Sequence, residues 1–263
     1  MSVTATLLGT GHSTGVPAAG GFWGKCDPQN PKNRRNRVSA MIKSDTTTII
    51  IDTGPDFRAQ SEKFAITDIH AVLYTHAHSD HINGIDDLKY YRFRTQELVN
   101  IYGNEATILE IKQRFSYNFG AEHEHFSYPP VLREHVISQE QYDREMTIGD
   151  ITFVPFEMDH RTTKSMGYRF GDFAYCTDVA LMDDRNFKIL RGVKNMVIDC
   201  GQYAMEPNLH ADFNRVLQWN AEIKAPHVYL THLSIAHDYQ TLMNETPDGY
   251  QPAYDGLQFD VKL

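Results

Sequence analysis

Short apolar runs bounded by glycine, proline or polar residues recur along the whole chain and predict β-strands. They cover residues 3–8, 38–43, 47–52 and 69–74 in the first half, and 151–157, 166–170, 173–176, 195–199 and 226–231 in the second. Helical spacing of apolar positions predicts helices over 56–63, 86–93, 106–118, 211–224 and 235–244. Two β-rich halves, each with helices, predict an α/β (α+β) fold with two sheets face to face and helices outside, in a single domain of residues 1–263.

The composition is that of a soluble globular protein with a substantial core, since 41% of the 263 residues are hydrophobic and 22% are charged. No apolar run approaches the roughly 18 residues that a membrane span needs, and no secretory signal is visible at the N-terminus. The three cysteines, Cys26, Cys176 and Cys200, are too few and too scattered for a disulfide framework. We therefore expect a cytoplasmic location and no membrane partner.

The formal net charge is −9 at pH 7, which argues against broad binding of nucleic acid because that requires a positive surface. A local exception is the basic cluster Lys32, Arg34, Arg35 and Arg37 in the sequence NPKNRRNR. This cluster is either a solvated loop or a surface that faces phosphate, since guanidinium groups bind phosphate through two hydrogen bonds. Arg34 and Arg35 are accordingly candidate substrate-binding residues.

The richest concentration of metal-ligand side chains is YTHAHSDHING, residues 74–84, with His76, His78, Asp80 and His81. His76 and His78 are two residues apart, so in an extended segment both side chains point to one side. Asp80 and His81 follow where a turn could direct them to a second, adjacent point. Imidazole suits zinc, iron and similar ions, and carboxylate adds manganese to the choice. This spacing, directly after a predicted buried strand, indicates a metal site.

Ligand-type residues also follow other predicted strands, namely His160, Asp178, His210 and His232. Each histidine taken alone could be an ordinary hydrogen-bonded residue at a strand end. Their recurrence, together with residues 74–84, favours a shared site. Asp52, at the end of the predicted strand 47–52, is either a turn residue or a partner that orients a ligand imidazole through its second nitrogen.

Two further loops contain histidines. The glycine-rich loop GTGHSTGVP, residues 9–17, permits close approach of the backbone to a ligand, but its spacing does not fit a dinucleotide-binding fingerprint. Its His12 is expected to form hydrogen bonds or to support a metal ligand rather than to bind metal itself. Residues 119–135 predict a surface segment, a lid or a homodimer contact rather than a metal site, although they hold His123, His125 and His135.

Together these residues resemble the five motifs of the metallo-β-lactamase superfamily of hydrolases, in the same order and over nearly the whole chain. The matching positions are Asp52, then His76 with His78, Asp80 and His81, then His160, Asp178 and His232. The resemblance implies a four-layer αββα sandwich with two divalent metal ions, zinc or manganese, at one edge. It implies one ion held by His76, His78 and His160, a second held by Asp80, His81 and His232, and Asp178 as a bridge between them.

More narrowly, the chain is similar to the PhnP-like branch, phosphodiesterases that open a ribose 1,2-cyclic phosphate. The similar segments are GTGHSTGVP (9–17), RRNRVS (34–39), LTHLS (230–234), AYDG (253–256) and NLHAD (208–212). In that branch, the histidine that matches His210 acts near the leaving group. Ser234, within LTHLS, is a further candidate for substrate binding.

One departure from related enzymes is clear. They carry a cysteine cluster and a histidine three residues after the last metal histidine, which together form a structural zinc site. Here Cys26 alone remains in the early loop, residues 18–37, and Ile235 takes the position of the later histidine. We therefore expect no structural zinc site, and the early loop must be held in another way.

The expected activity is that of a metal-dependent phosphodiesterase acting on a cyclic or linear phosphodiester of a small nucleotide or ribose phosphate. Two divalent ions would activate a hydroxide that attacks phosphorus in line. His210 is the candidate general acid for the leaving alkoxide, because an unperturbed pKa of about 6.5 suits both protonation states. Asp80 is the second candidate catalytic residue.

Other functions remain open. A tRNA 3′-processing endonuclease of the same superfamily has a similar opening segment, but it usually has a long arm that grips tRNA, and the charge here opposes it. Thioester or lactam hydrolysis could use the same centre, although the basic cluster favours phosphate. A non-catalytic scaffold could also carry these residues, but every expected ligand position is filled. A fold by itself does not decide the substrate.

Overall fold

Two seven-stranded β-sheets form the framework of the protein. A computed structural model describes residues 2–120, 129–201 and 209–263. The strands of the first sheet are β1 (Val3–Gly9), β2 (Ser39–Lys43), β3 (Thr48–Ile51), β4 (Ala71–Leu73), β5 (Val99–Gly103), β6 (Leu132–Val136) and β14 (Gln258–Val261). Those of the second are β7 (Met146–Ile148), β8 (Ile151–His160), β9 (Thr163–Phe170), β10 (Phe173–Cys176), β11 (Asn195–Asp199), β12 (His227–Thr231) and β13 (Tyr250–Pro252).

Each sheet is antiparallel on one side and parallel on the other. The strand orders are β14-β1-β2-β3-β4-β5-β6 and β13-β12-β11-β10-β9-β8-β7. In the first sheet the pairings up to β3 are antiparallel and those from β3 to β6 are parallel. In the second, β7 to β10 are antiparallel and β10 to β13 are parallel. The carboxyl ends of parallel strands meet at one edge of a sheet, where loops that carry function collect.

Seven α-helices accompany the sheets in the described part of the chain. They are α1 (Phe57–Lys63), α2 (Ser79–Ile82), α3 (Leu88–Thr95), α4 (Glu105–Arg114), α5 (Asp184–Leu190), α6 (Phe213–Ile223) and α7 (Tyr239–Glu245). No helix within these ranges is both long enough and apolar enough to cross a membrane.

Three apolar clusters define the layers. The central cluster joins Leu7 and Ile42 of the first sheet to Phe153 and Tyr168 of the second, so the two sheets pack face to face. A second cluster lies between the first sheet and α1, α3 and α4, and a third lies between the second sheet and α5 and α6. Burial of apolar area is the main favourable contribution to such packing. The predicted α/β sandwich of four αββα layers is confirmed.

Most strands predicted from apolar runs are present, with shifts of a few residues at their ends. Helix α7 begins at Tyr239 rather than at residue 235, because Asp238 caps it by accepting the Thr241 N–H at 2.9 Å. Helix α6 lies close to its predicted bounds, because its apolar side faces the core and Asp212 caps its start. Strand β8 runs through His160, so this residue is the last of its strand rather than a residue beyond it.

Residues 119–135 require a correction. Residues 132–135 belong to the edge strand β6, which pairs in parallel with β5, so this part is neither a lid nor a loose surface segment. His135 is tied to that sheet, since its Nε2 lies 3.0 Å from the Asn100 side-chain oxygen and its ring stacks on Tyr102. His123 and His125 lie outside the described residues.

Candidate metal centre

The segment after β4 turns sharply and gathers its ligand-type side chains. Two glycines allow this segment to pack closely against the loop after β3, since a Cβ on Gly54 would lie 2.0 Å from the Asp80 carbonyl oxygen and one on Gly84 would lie 2.1 Å from the Gly54 carbonyl oxygen. Helix α2 starts directly after His78 and returns the chain to the sheet. As a result, His76 Nε2 comes within 2.8 Å of His78 Nδ1.

Asp52 lies behind this segment and orients His81. Its Oδ2 lies 2.7 Å from His81 Nδ1, and both carboxylate oxygens accept hydrogen bonds from Thr75, from its N–H and its hydroxyl at 2.8 Å each. Asp52, Thr75 and His81 are fully buried. A carboxylate on Nδ1 holds the ring in place and leaves Nε2 directed into the centre, as is usual for metal-binding histidines.

The second sheet contributes three side chains from three strand ends. His160 ends β8, Asp178 follows β10 and His232 follows β12. Asp178 stands in the middle of the cluster. One of its oxygens, Oδ1, lies 3.5 Å from His232 Nε2 and 3.7 Å from His160 Nε2, and the other, Oδ2, lies 3.2 Å from His81 Nε2. The structure therefore brings together side chains from both halves of the chain, as the strand-end pattern predicts.

Three of these strand-end residues have left-handed backbone conformations. The φ angles are 61° at Asp52, 55° at Asp178 and 60° at His232. Non-glycine residues seldom adopt such angles, which cost roughly 1–3 kcal/mol each and concentrate at functional sites. The surrounding sheets hold these side chains in orientations that an unstrained strand end would not provide.

The protonation states of three histidines and of Asp178 favour cation binding. Burial lowers the pKa values of His76, His78 and His160, so these rings are neutral at neutral pH, the form that binds metal. Burial opposes ionisation of Asp178, but His232 and His81 outweigh it and hold the pKa of this carboxyl well below its usual range. Asp178 is therefore an anion surrounded by imidazole nitrogens.

The donor set fits divalent metal ions. Potential ligand atoms lie within 4.8 Å of one another in several groups, which include His76 with His78 and His160, and Asp80 with His81 and His232. In the described part of the chain, His81 Nε2 and both ring nitrogens of His232 are buried without a hydrogen-bond partner. Buried polar atoms are seldom left unpaired, and bound cations would satisfy the two Nε2 atoms, which face the centre. Imidazole and carboxylate together suit zinc or manganese.

His210 lies at this cluster and is held by a residue that the sequence did not reveal. Its Nδ1 lies 2.8 Å from Asp199 Oδ2, and its ring stacks on His232 with centroids 4.5 Å apart. Asp199 ends β11 and also accepts the N–H groups of Gly201 and Val179. Burial opposes protonation of His210, but Asp199 outweighs it and raises the pKa to about 9.

Leu209, which precedes His210, also supports a metal-ligand candidate. The carbonyl oxygen of Leu209 lies 2.8 Å from His160 Nδ1, so it can accept the ring proton. With the proton on Nδ1, the lone pair of Nε2 faces Asp178 and the centre. The NLHAD segment therefore contributes both a side chain and a backbone oxygen to the site.

His12 also reaches the cluster, from the glycine-rich loop. Its ring centroid lies 4.7 Å from that of His232 and 5.5 Å from that of His210. The Ser13 hydroxyl lies 2.9 Å from His12 Nδ1. Burial, followed by the neighbouring His232 and His210, lowers the pKa of His12 to about 4, so the ring is neutral at neutral pH.

The three candidate substrate-binding residues have different surroundings. Arg34 is exposed, with its guanidinium carbon 5.1 Å from the centroid of the Trp23 ring. Ser234 is half-buried, and its hydroxyl lies 2.9 Å from His237 Nδ1. Arg35 is 2% exposed, so the prediction that it binds substrate is wrong, because its guanidinium is enclosed by protein.

Arg35 instead fastens the early loop. Its Nη1 donates to the His237 carbonyl oxygen at 2.8 Å and lies 3.8 Å from Cys26 Sγ, and its Nη2 donates to the Asn33 side-chain oxygen at 3.2 Å. Asn33 in turn donates to Asp238 at 2.6 Å. These bonds join residues 26–35 to the turn after His232. This network holds the early loop against the turn after His232.

We expect Arg35→Ala to lower the free energy of unfolding by about 2–4 kcal/mol, because several buried hydrogen-bond partners lose a charged donor. The adjacent residue Arg34 is exposed and supplies a matched control. Arg34→Ala should change the free energy of unfolding by less than about 0.5 kcal/mol. Urea unfolding followed by fluorescence measures both. Equal stability of the two variants would show that Arg35 does not fasten the loop.

Comparisons with known proteins agree with this geometry. Residues 47–233 match the family model described as "Beta-lactamase superfamily domain". The chain is similar to a solved structure described as "a New Diphosphatase from the PhnP Family", with a TM-score of 0.87 and 32% identity over 100% of this chain and 99% of that one.

Two curated proteins are also similar. An octanoyltransferase of Porphyromonas gingivalis (strain ATCC BAA-308 / W83) is 29% identical over 256 residues, which are 96% of this chain and 50% of that protein. The chain thus spans about half the length of that relative. Exodeoxyribonuclease YycJ of Bacillus anthracis is 24% identical over 237 residues, covering 76% of this chain and 80% of that protein.

Proposed function

The chain belongs to the metallo-β-lactamase superfamily, and from this premise we propose that it is a metal-dependent phosphodiesterase. Its substrate would be a cyclic or linear phosphodiester of a small nucleotide or ribose phosphate. The observation that carries the proposal is a proton donor at the ligand cluster: His210 Nδ1 is paired with Asp199 and lies 3.9 Å from Asp178 Oδ1. The similarity to a PhnP-family diphosphatase along the full chain supports a reaction at phosphorus.

The ligand sets of the proposed centre follow the groups of convergent atoms. His76, His78 and His160 would hold one divalent ion, Asp80, His81 and His232 would hold a second, and Asp178 would contact both. Such ions lower the pKa of a bound water and polarise a phosphoryl oxygen. Zinc and manganese both accept these donors, and metal analysis of the purified protein would distinguish them.

His210 would protonate the leaving alkoxide. Because Asp199 occupies its Nδ1, the proton available to a substrate is the one on Nε2. With a pKa raised to about 9, the ring carries that proton at neutral pH. A positioned general acid contributes typically 10²- to 10⁴-fold to a rate.

Asp80 would act on the attacking water. Its Oδ2 lies 3.3 Å from His81 Nε2 and 3.5 Å from His232 Nε2. Burial opposes ionisation, but the two histidines lower the pKa of this carboxyl, so it is an anion that can accept a hydrogen bond from water. Arg34 and Ser234 remain proposed contacts for the substrate beyond the reacting phosphorus.

A nucleic-acid phosphodiester is the second candidate substrate, favoured by the similarity to a protein named as an exodeoxyribonuclease. The tRNA 3′-processing reaction belongs to this alternative. The net charge of −9 opposes both, because binding of polynucleotides depends on neutralising many phosphates. We therefore propose a cytoplasmic enzyme that acts on a small substrate in preference to nucleic acid and has no membrane partner. A homodimer is its proposed assembly.

We expect purified protein to hold two divalent ions per chain and to hydrolyse bis(p-nitrophenyl) phosphate. Chelation should lower this activity at least about 100-fold, and added zinc or manganese should restore it, because the proposed reaction depends on the bound ions. Metal analysis and rates before and after chelation measure this. A ribose cyclic phosphate, a tRNA precursor and a thioester tested in parallel separate the candidate substrates. Metal-loaded protein that hydrolyses the thioester but no phosphodiester would refute the proposal.

A further inference from the structure

His12 has no part in the proposed reaction, yet the fold fixes its position with several contacts. Its N–H donates to the Leu233 carbonyl oxygen at 3.1 Å, and the Leu233 N–H donates to the Thr10 carbonyl oxygen at 3.0 Å. Gly11 precedes it where a Cβ would lie 2.9 Å from the Asn36 carbonyl oxygen. The loop is therefore clamped between residues 36 and 233, and the ring of His12 has a defined location.

That location is at one opening of the cluster. His12 and His210 are half-buried, whereas His232, against which both rings lie, is buried. A nitrogen from each of the three rings lies within 4.8 Å of the other two. A substrate that approaches the centre at this point meets the imidazoles of His12 and His210 before it meets His232.

Ser13 determines what His12 can offer to a substrate. The Ser13 hydroxyl lies 2.9 Å from His12 Nδ1. When this hydroxyl donates to Nδ1, the neutral ring carries its proton on Nε2. Nε2 then presents an N–H donor and has no lone pair for a metal ion. His210 likewise has its Nδ1 occupied, by Asp199.

Two imidazole donors at one opening suit an anion better than a cation. We propose that His12 is a phosphoryl-binding residue, whose Nε2–H donates to a non-bridging oxygen of the substrate phosphate, with Ser13 setting its tautomer. This inference rests on the proposed function and adds a substrate contact to it. Donors placed where charge develops at phosphorus are among the larger contributions to catalysis.

Three variants separate hydrogen bonding from packing. His12→Phe keeps a ring against His232 but lacks the donor, His12→Ala lacks both, and His12→Gln keeps an N–H group near the position of Nε2. We expect His12→Phe and His12→Ala to weaken binding of inorganic phosphate to the metal-loaded protein about 10-fold, and to lower kcat/KM for a phosphodiester about 10- to 100-fold. His12→Gln should stay within about threefold of the wild type in both, and Ser13→Ala within about fivefold.

Calorimetry with inorganic phosphate, metal analysis and steady-state kinetics measure these effects. Full metal content in all variants, with weak binding in His12→Phe and retained binding in His12→Gln, supports the inference. Wild-type binding in His12→Phe overturns it in favour of packing, and metal loss in the variants overturns it in favour of a ligand role. Wild-type protein that binds no phosphate and cleaves no phosphodiester overturns the proposed function as well.

Discussion

Asp178→Asn is expected to lower phosphodiester turnover about 1,000-fold and to reduce metal content below two ions per chain. The reason is the position of this carboxylate, whose two oxygens face His232 and His81 at 3.5 and 3.2 Å. Asparagine would remove the negative charge that lies between the buried imidazoles. Cations should therefore bind more weakly. Asparagine tolerates the left-handed backbone at this position, where φ is 55°, so the variant tests charge rather than backbone strain.

Kinetics on a phosphodiester and elemental analysis of the same preparation measure both effects. The matched control is Asp184→Asn, which removes an exposed carboxylate at the start of α5 and should leave turnover and metal content unchanged. If Asp178→Asn retained two ions and more than a tenth of the turnover, the bridging position of Asp178 would be wrong.

His210→Ala is expected to lower turnover about 100- to 1,000-fold on a phosphodiester with an alkoxide leaving group, but less than about 10-fold on one that releases p-nitrophenolate. An alkoxide needs a proton as it leaves, whereas p-nitrophenolate does not. The two rates measured on one preparation provide the comparison. His227→Ala, which removes an exposed histidine from the start of β12, serves as the control. Equal losses on both substrates would refute an acid role.

The pH dependence tests the same role through Asp199. The protonated form of His210 is the active one, so activity on the alkoxide substrate should be retained below its pKa of about 9 and fall as the pH rises through that value. Asp199 is the main cause that raises this pKa, against burial. In Asp199→Asn the fall in activity should therefore move to lower pH. A basic limb at the same pH in both proteins would contradict the pairing.

The position of the site was predictable because ligand-type residues follow the predicted strands. Apolar runs that stop at a histidine or an aspartate located His76, His160, Asp178 and His232. Parallel pairing brings the ends of β10 and β12 together, whereas His160 ends the antiparallel strand β8. Asp199 was missed, although it also ends an apolar run, because a single aspartate before a cysteine matches no ligand spacing. Its role depends on His210, which follows 11 residues later, and this contact is set by folding alone.

The burial of Arg35 could not be predicted from the composition of its loop. A cluster of basic residues in a loop predicts a charged surface, yet Asn33 and Arg35 are buried while Arg34 between them is exposed. This alternation is that of an extended segment, in which neighbouring side chains point to opposite sides. The partner that turns Arg35 inward is the segment around His237, and a contact across 202 positions is invisible in local sequence.

Strand β5, Val99–Gly103, was not predicted from the sequence, because its local pattern is weak. It has the alternating burial of a strand, with Val99 and Ile101 facing the core, but it is short and follows a polar stretch. Its neighbours β4 and β6 determine its conformation through parallel pairing. Tertiary pairing therefore decides such segments more than local propensity does.

The strand order of the two sheets shows that the protein repeats one topology. In each sheet, four antiparallel strands are followed by three more that continue in parallel, so β3 corresponds to β10, β4 to β11 and β5 to β12. Asp52 and Asp178 follow corresponding strands, and both have left-handed φ angles, 61° and 55°. The two equivalent positions therefore have different roles, since Asp52 lies behind a candidate ligand and Asp178 lies among the candidate ligands. The candidate metal centre depends on both repeats, since neither half contains all of the proposed donors.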